Sequence, residues 1–279
     1  MENDVFFIVL LATIMHAIWN AMVKKHPDKT IAVSGIVFGH VPCSIIAIII
    51  LPSPSIESIP YIAASVLIHQ GYQWFLLTSY KIGDFTKVYP IARGSGPLVA
   101  TLISIIFLGL ALKFLTLLSI FILCIGILIL GLFDKAKKNK EIIKYSLLTG
   151  LFIGLYSLID GYGARISLSA ISYISWSFVI NSLLFWTIIK IKTKKNMFKE
   201  VMNKGQQIFW IGGSLSFFIY MIVVWAFTKA PIPMVSALRE SSIFFSIFIG
   251  YYFLKENFNI KKLISVVFIL VGVIGLKLL

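Results

Sequence analysis

Four charged side chains stand where the chain is otherwise apolar: Arg93, Asp160, Arg239 and Glu240. Guanidinium groups hold carboxylate and phosphoryl oxygens through planar, paired hydrogen bonds. Carboxylates inside a bilayer balance such cations or carry protons. Two readings follow. In one, Arg93 and Arg239 bind a substrate anion, Ser95 and Ser241 add hydrogen bonds, and Glu240 or Asp160 balances charge or carries a proton. In the other, Arg93 pairs with Asp160 or Glu240 and the four charges cancel as an interior network. Tyr89, beside Arg93, joins the candidate binding residues with Gln70, Gln73 and Trp74. Gln70 and Gln73 are three apart, on one helix face, and Trp74 belongs to an aromatic group suited either to a cavity wall or to a membrane interface.

Other chemistry is poorly supplied. His16, His40 and His69 each lack the second histidine three or four residues away that a helical metal site uses, so they are expected as hydrogen-bonded packing residues, with no metal and no cofactor. Cys43 and Cys124 lie in apolar runs, which excludes a disulfide framework. HExxH, a Walker lysine loop and GxGxxG are absent. An intramembrane serine protease needs Gly two places before its Ser, where Arg93 precedes Ser95, and an aspartyl protease needs two aspartates within spans, where only Asp160 qualifies. The chain is not expected to be an enzyme; a membrane-embedded enzyme acting on lipid-linked or peptide substrates is the unfavoured alternative.

The elements that hold these residues must be membrane spans. Of 279 residues, 59% are hydrophobic and 13% charged, too little polar surface to cover a water-soluble globule. Ten apolar stretches are long enough to cross a bilayer as helices: 5–23, 31–51, 61–80, 88–110, 114–133, 145–164, 171–189, 208–228, 234–254 and 260–279. The acidic leader Met1–Asp4, with no small-residue cleavage site after it, argues that the first is retained rather than removed as a signal peptide. Nineteen of the 25 Lys and Arg fall in the odd-numbered connections, including Lys135, Lys137, Lys138, Lys140 and Lys144. Short Lys-rich loops stay cytoplasmic, which places both termini outside. The formal charge of +14 is thus a topology signal and a contact for anionic lipids; no nucleic-acid partner is expected.

The chain also repeats itself. At an offset of 146, Arg93, Ser95, Phe107, Leu108, Ser119 and Gly126 recur as Arg239, Ser241, Phe253, Leu254, Ser265 and Gly272; a weaker match at 140 aligns His16 and Asn20 with Tyr156 and Asp160. Each half holds five spans, an odd number, so the copies must be inverted across the membrane, as in many secondary transporters. The expected division is a first repeat over 1–133, a basic connection over 134–144 and a second repeat over 145–279. Pro90, Gly94, Gly96 and Pro97 around Arg93 are expected to kink or interrupt the fourth span and act as its hinge.

With those motifs in place, the chain resembles the drug/metabolite transporter superfamily in its EamA-type branch. The carriers of the resemblance are His16-Ala17-Ile18-Trp19-Asn20-Ala21-Met22-Val23-Lys24, the stretch Val88–Pro97, and the Gly-, Ile- and Leu-rich ends of both repeats. It implies an all-α integral membrane protein of ten helices in two inverted five-helix repeats, working by alternating access, with a central cavity between the third, fourth, eighth and ninth spans. Export of amino acids and other small metabolites is the commonest role it brings. Two features depart from the family: the loop Pro52–Pro60 lacks the expected Lys and Arg, and paired arginines are not needed by an exporter of neutral or cationic molecules. The reading is therefore a multi-pass carrier in a bacterial inner or plasma membrane that moves a small anionic or zwitterionic metabolite, most simply outward. A neutral amino-acid or drug exporter with structural arginines is the alternative. Membrane lipids are expected partners, and a homodimer is left open.

Overall fold

A computed structural model describes residues 1–132, 140–253, 255 and 258–278. Lys135, Lys137 and Lys138 of the basic connection, and the repeat residue Leu254, lie outside the described residues. Every regular element among the described residues is helical: α1 (Asn3–Lys25), α2 (Lys29–Ile50), α3 (Ile59–Ile82), α4 (Phe85–Ile106), α5 (Phe114–Leu132), α6 (Lys140–Ile166), α7 (Ala170–Thr193), the short α8 (Met197–Lys204), a π-helical stretch (Ile208–Gly213) leading into α9 (Ser214–Lys229), then α10 (Ile232–Glu240), α11 (Ser242–Phe253) and α12 (Ile260–Leu278). Only helices satisfy their own backbone groups in hydrocarbon, and the sequence is apolar enough to need this.

Among the described residues, seven helical stretches are long and apolar enough to cross a membrane: Asn3–Lys25, Lys29–Ile50, Phe114–Gly131, Lys140–Ile166, Ala170–Thr193, Ile208–Lys229 and Ile232–Phe253. The helices α3, α4 and α12 occupy the third, fourth and tenth expected spans; α3 and α4 carry polar residues in mid-helix, and α12 carries Lys261, Lys262 and Lys277 at its ends. In α4, Lys87 through Pro97 is buried without a break, so neighbouring helices screen Arg93 from lipid. Ile49, Ile50, Ile106, Phe107 and Phe253 stay exposed, the side chains a lipid-facing surface should show.

Contacts between connections sort them onto two faces. On one face, His26, between α1 and α2, bonds the carbonyl of Lys204 at the end of α8. There Lys29 Nζ also donates to the carbonyls of Val23, Lys24 and His26, closing the C-terminus of α1 with a cation. Asp28 Oδ1 accepts from the amides of Thr30 and Ile31 and starts α2. On the opposite face, Ser55 donates to Ile166 O, and Arg165 donates to Phe227 O and Ala230 O. Lys277 bonds Asn3, so the start of α1 and the end of α12 share a face.

Close helix crossings use the glycines. A Cβ on Gly150 would meet Ser95 Oγ at 1.9 Å, one on Gly96 would meet Ile153 at 2.6 Å, and one on Gly154 would meet Val99 at 2.7 Å, so α4 and α6 touch through small residues four apart. Between α5 and α12 the contacts are reciprocal: Gly126 lies against Ser265 O and Gly272 against Ser119 O. As the number rises along one helix it falls along the other, so the two cross antiparallel.

The expected interruption is absent from α4. The helix α4 runs unbroken from Phe85 to Ile106 with Pro90 and Pro97 inside it. Gly94 packs on Ile127 and Leu128, and Gly96 on Ile153, so these glycines serve packing. Pro90 and Pro97 need only leave one carbonyl each without an N–H partner, which a helix tolerates inside a bundle. The helix instead breaks at Ser241, between α10 and α11, in the repeat copy that has no proline there.

Candidate functional site

A central cavity, partly open to the exterior, lies among α1, α2, α3, α4, α6, α7, α9 and α10. The first repeat supplies one face of each helix at helical spacing: His16, Trp19, Asn20 and Val23 from α1, Val33, Ile36, Val37 and His40 from α2, and His69, Tyr72, Gln73, Leu76 and Tyr80 from α3. Tyr89, Ala92 and Arg93 close the wall from α4. The second repeat supplies Tyr156, Phe178, Asn181 and Tyr220 from the middle of α6, α7 and α9, and Arg239 from the last turn of α10. The cavity thus runs from mid-bundle toward the face where α1 joins α2 and α3 joins α4, which is the Lys-rich face.

The charged centre sits at the inner end. Glu240 is fully buried between both arginines: Arg93 Nε lies 2.5 Å from Oε2, while Arg239 Nε and Nη2 lie 3.1 Å and 3.0 Å from Oε1. Arg93 Nη2 is also 2.7 Å from His16 Nε2. An arginine can only donate, so His16 accepts at Nε2 and carries its hydrogen on Nδ1. Each guanidinium has five N–H groups, and these contacts occupy fewer than half of them. Two cations against one carboxylate leave one positive charge at the cavity end, beside the rings of Tyr89 and Tyr156, each within 6 Å of an arginine.

Asp160 stands apart from this cluster. It is fully buried, accepts from Tyr220 OH at 2.6 Å and Tyr173 OH at 3.3 Å, and lies 3.9 Å from His69 Nε2. The expected Arg93–Asp160 alternative is therefore replaced by Arg93–Glu240.

Of the sequence candidates, Arg93, Arg239, Tyr89 and Gln73 reach the cavity, with Glu240 behind the arginines. Four others do not. Ser95 donates back to Ile91 O and Ala92 O against α6, and Ser241 to Leu238 O, because a hydroxyl in an apolar helix takes the nearest free carbonyl. Gln70 reaches Asn181 O and Oδ1 on α7 and joins two helices. Trp74 is 42% exposed on the outer surface with Lys192 over its ring, the aromatic-belt position. Sequence reasoning gave His16 and His69 to packing, left Tyr72 open between a cavity wall and a membrane interface, and gave Trp19, Asn20 and Tyr156 no place in a cavity; the signal was present as polar and aromatic residues three and four apart on single faces of α1 and α3.

Residues 141–278 match the EamA-like transporter family. No curated protein matches the chain. One solved crystal structure, described only as that of a protein, is 12% identical, covers 99% of this chain and 96% of its own, and superposes with a TM-score of 0.72. At that identity the likeness concerns the fold alone. The family match over the second half, on a bundle whose fold extends across the whole chain, places this protein in the EamA-like transporter family of the drug/metabolite transporter superfamily, as a multi-pass membrane protein.

Proposed function

We propose that this chain is an alternating-access carrier of a small anionic or zwitterionic metabolite whose charged end is held by Arg93 and Arg239. The observation that carries the reading is the positive charge that Glu240 leaves over in the arginine cluster, with guanidinium N–H groups to spare, at the buried end of a cavity lined by Tyr89, Gln73 and Tyr156. Glu240 keeps the site soluble in the bilayer interior when no substrate is bound.

The reading includes ten crossings in two inverted repeats, 1–133 and 145–279 joined by 134–144. Three features support it. Both chain ends share a face, which requires an even number of crossings. The antiparallel, reciprocal contact of Ser119 and Gly126 with Gly272 and Ser265 is what a two-fold axis in the membrane plane produces. Packing is also paired across the halves: α3 on α7 is matched by α2 on α9, and α4 on α6 by α1 on α11. Two pairings are unequal: α6 packs on α9 while α1 makes no comparable contact with α3, and α4 packs closely on α5 while α10 and α11 barely touch α12. A second gap lies between α1, α4 and α11 on the Lys-rich side. The positive-inside rule makes that side cytoplasmic, with both termini outside, so the conformation is open inward. The membrane is a bacterial inner or plasma membrane, and export is the direction that the family likeness favours.

The rival reading, a neutral amino-acid or drug exporter, takes Glu240 as proof that the arginines are structural. Thermal shift of purified protein against acetate, benzoate, inorganic phosphate, methylphosphonate, glycine and glutamate separates the two, because a ligand of the folded form raises the midpoint. Anions should stabilise the wild type and not Arg93→Gln or Arg239→Gln. Stabilisation by glycine alone, unchanged in both variants, would favour the rival.

A further inference from the structure

We infer that His69 and Asp160 form a one-proton site, separate from the arginine cluster and linked to it through Tyr156, so that a proton and the anion travel together. The inference rests on the anion-carrier reading above for the linkage, and on geometry alone for the proton site.

The hydrogen inventory leaves a place for one proton. His69 Nδ1 lies 3.0 Å from the carbonyl of Ser65, which can only accept, and 3.3 Å from the Ser65 hydroxyl; the shorter contact puts the hydrogen on Nδ1. Nε2 is then bare in the neutral ring, and it faces Asp160 Oδ2 at 3.9 Å. A bare nitrogen and a carboxylate oxygen present lone pairs to each other, and one added proton, held by either, turns that contact into an attraction. The pair gains or loses this proton as a unit. Asp160 has no ion pair with Arg or Lys among the described residues; its other partners are the hydroxyls of Tyr173 and Tyr220. Glu240 lacks this freedom, held between two guanidiniums.

Every helix around His69 contributes a group that it feels. From α6 come Asp160 and Tyr156, whose ring stacks on the imidazole at 4.4 Å. From α7 comes Tyr173 and from α9 Tyr220, 6.1 Å ring to ring. His40 stands on α2 and Tyr72 on α3 itself, 6.5 Å ring to ring from His69. Arg239, from α10, lies over Tyr156 at 5.8 Å, leaving that ring between the imidazole and the guanidinium.

Charge conservation sets the sign of the linkage. Arg93, Arg239 and Glu240 sum to one positive charge, and Asp160 contributes one negative charge, so the empty carrier with a bare pair is neutral around its cavity. With a monoanion and one proton bound it is neutral again. Anion alone or proton alone leaves a net charge inside the bilayer, which is costly. The two ligands therefore bind synergistically and cross in the same direction.

Infrared pH-difference spectroscopy on the purified full-length protein tests this without a substrate. The wild type should show one buried carboxyl–imidazole titration. It should vanish in Asp160→Asn and be altered in His69→Gln, each variant checked for folding by its thermal transition. Arg239→Gln imitates an arginine neutralised by substrate, so the pair should hold its proton to higher pH, with about tenfold tighter proton binding. A titration that survives Asp160→Asn, with His69→Gln unchanged, overturns the proton site. A titration unmoved by Arg239→Gln overturns the linkage. Failure of the anion reading would appear elsewhere, as a flat thermal-shift panel with this titration intact.

Discussion

Glu240 illustrates how a single residue decides between stability and ligand binding. It touches both arginines, so Glu240→Gln would leave two buried guanidiniums without a counter-ion, at a cost of about 3–5 kcal/mol. The thermal midpoint should fall, and inorganic phosphate should restore more of it than the same concentration adds to the wild type; no restoration would mean that the cations do not face a ligand-accessible space. Trp74 gives the opposite case. Its ring lies on the outer surface under Lys192, so Trp74→Ala should leave anion stabilisation unchanged, and a loss of it would return Trp74 to the site. At this scale the sequence was readable wherever a charge had no business in hydrocarbon: Arg93, Arg239 and Glu240 declare themselves by cost. Ser95 and Ser241 do not, because a hydroxyl is satisfied by its own helix as readily as by a ligand. His69 and His16 were given to packing because their partners, Asp160 and Arg93, lie on other helices far along the chain.

The helices were legible from apolar length, and the break was not. Prolines and glycines around Arg93 read as a break, yet α4 is continuous and its glycines are contact points for α5 and α6. Periodicity and composition cannot distinguish a glycine that bends a helix from one that lets another helix approach; only the partner does. The break at Ser241 carries no sequence mark of comparable strength. The Gly150 crossing is the sharpest test of the packing role. A Cβ there meets Ser95 Oγ at 1.9 Å and Ala92 O at 2.8 Å, so Gly150→Ala must part α4 from α6 or displace the Ser95 hydroxyl. A loss of about 1–3 kcal/mol in stability is expected, read as a lower unfolding midpoint. Gly109, with a φ of 63° and open space around it, should tolerate the extra methyl group sterically and lose only about 1 kcal/mol to backbone strain. Equal tolerance at Gly150 would show that the α4–α6 contact is looser than drawn.

Across the whole molecule the inequality between the halves matters most. Arg165 ties the end of α6 to the carbonyls of Phe227 and Ala230 at the end of α9, on the Lys-poor face. The equivalent end of α1 borders the gap against α4 and α11. An inward-open carrier needs one face sealed while the other is open, and Arg165→Ala removes two charge-assisted bonds from the seal. Single cysteines placed on the Lys-poor side of the cavity, in a Cys43→Ser, Cys124→Ser background, should then react several-fold faster with a membrane-impermeant thiol reagent. An unchanged rate would place the seal elsewhere.

The central claim is that two arginines, one per repeat, hold the transported anion. Its most direct measurement is uptake into liposomes of whichever panel anion stabilises the wild type most, compared among wild type, Arg93→Gln and Arg239→Gln. Losing a charge-assisted bond costs about 1.5–3 kcal/mol, so each variant should transport at least about tenfold less well at sub-saturating concentration. Wild-type rates in both variants, or a panel in which no anion stabilises the wild type, would contradict it.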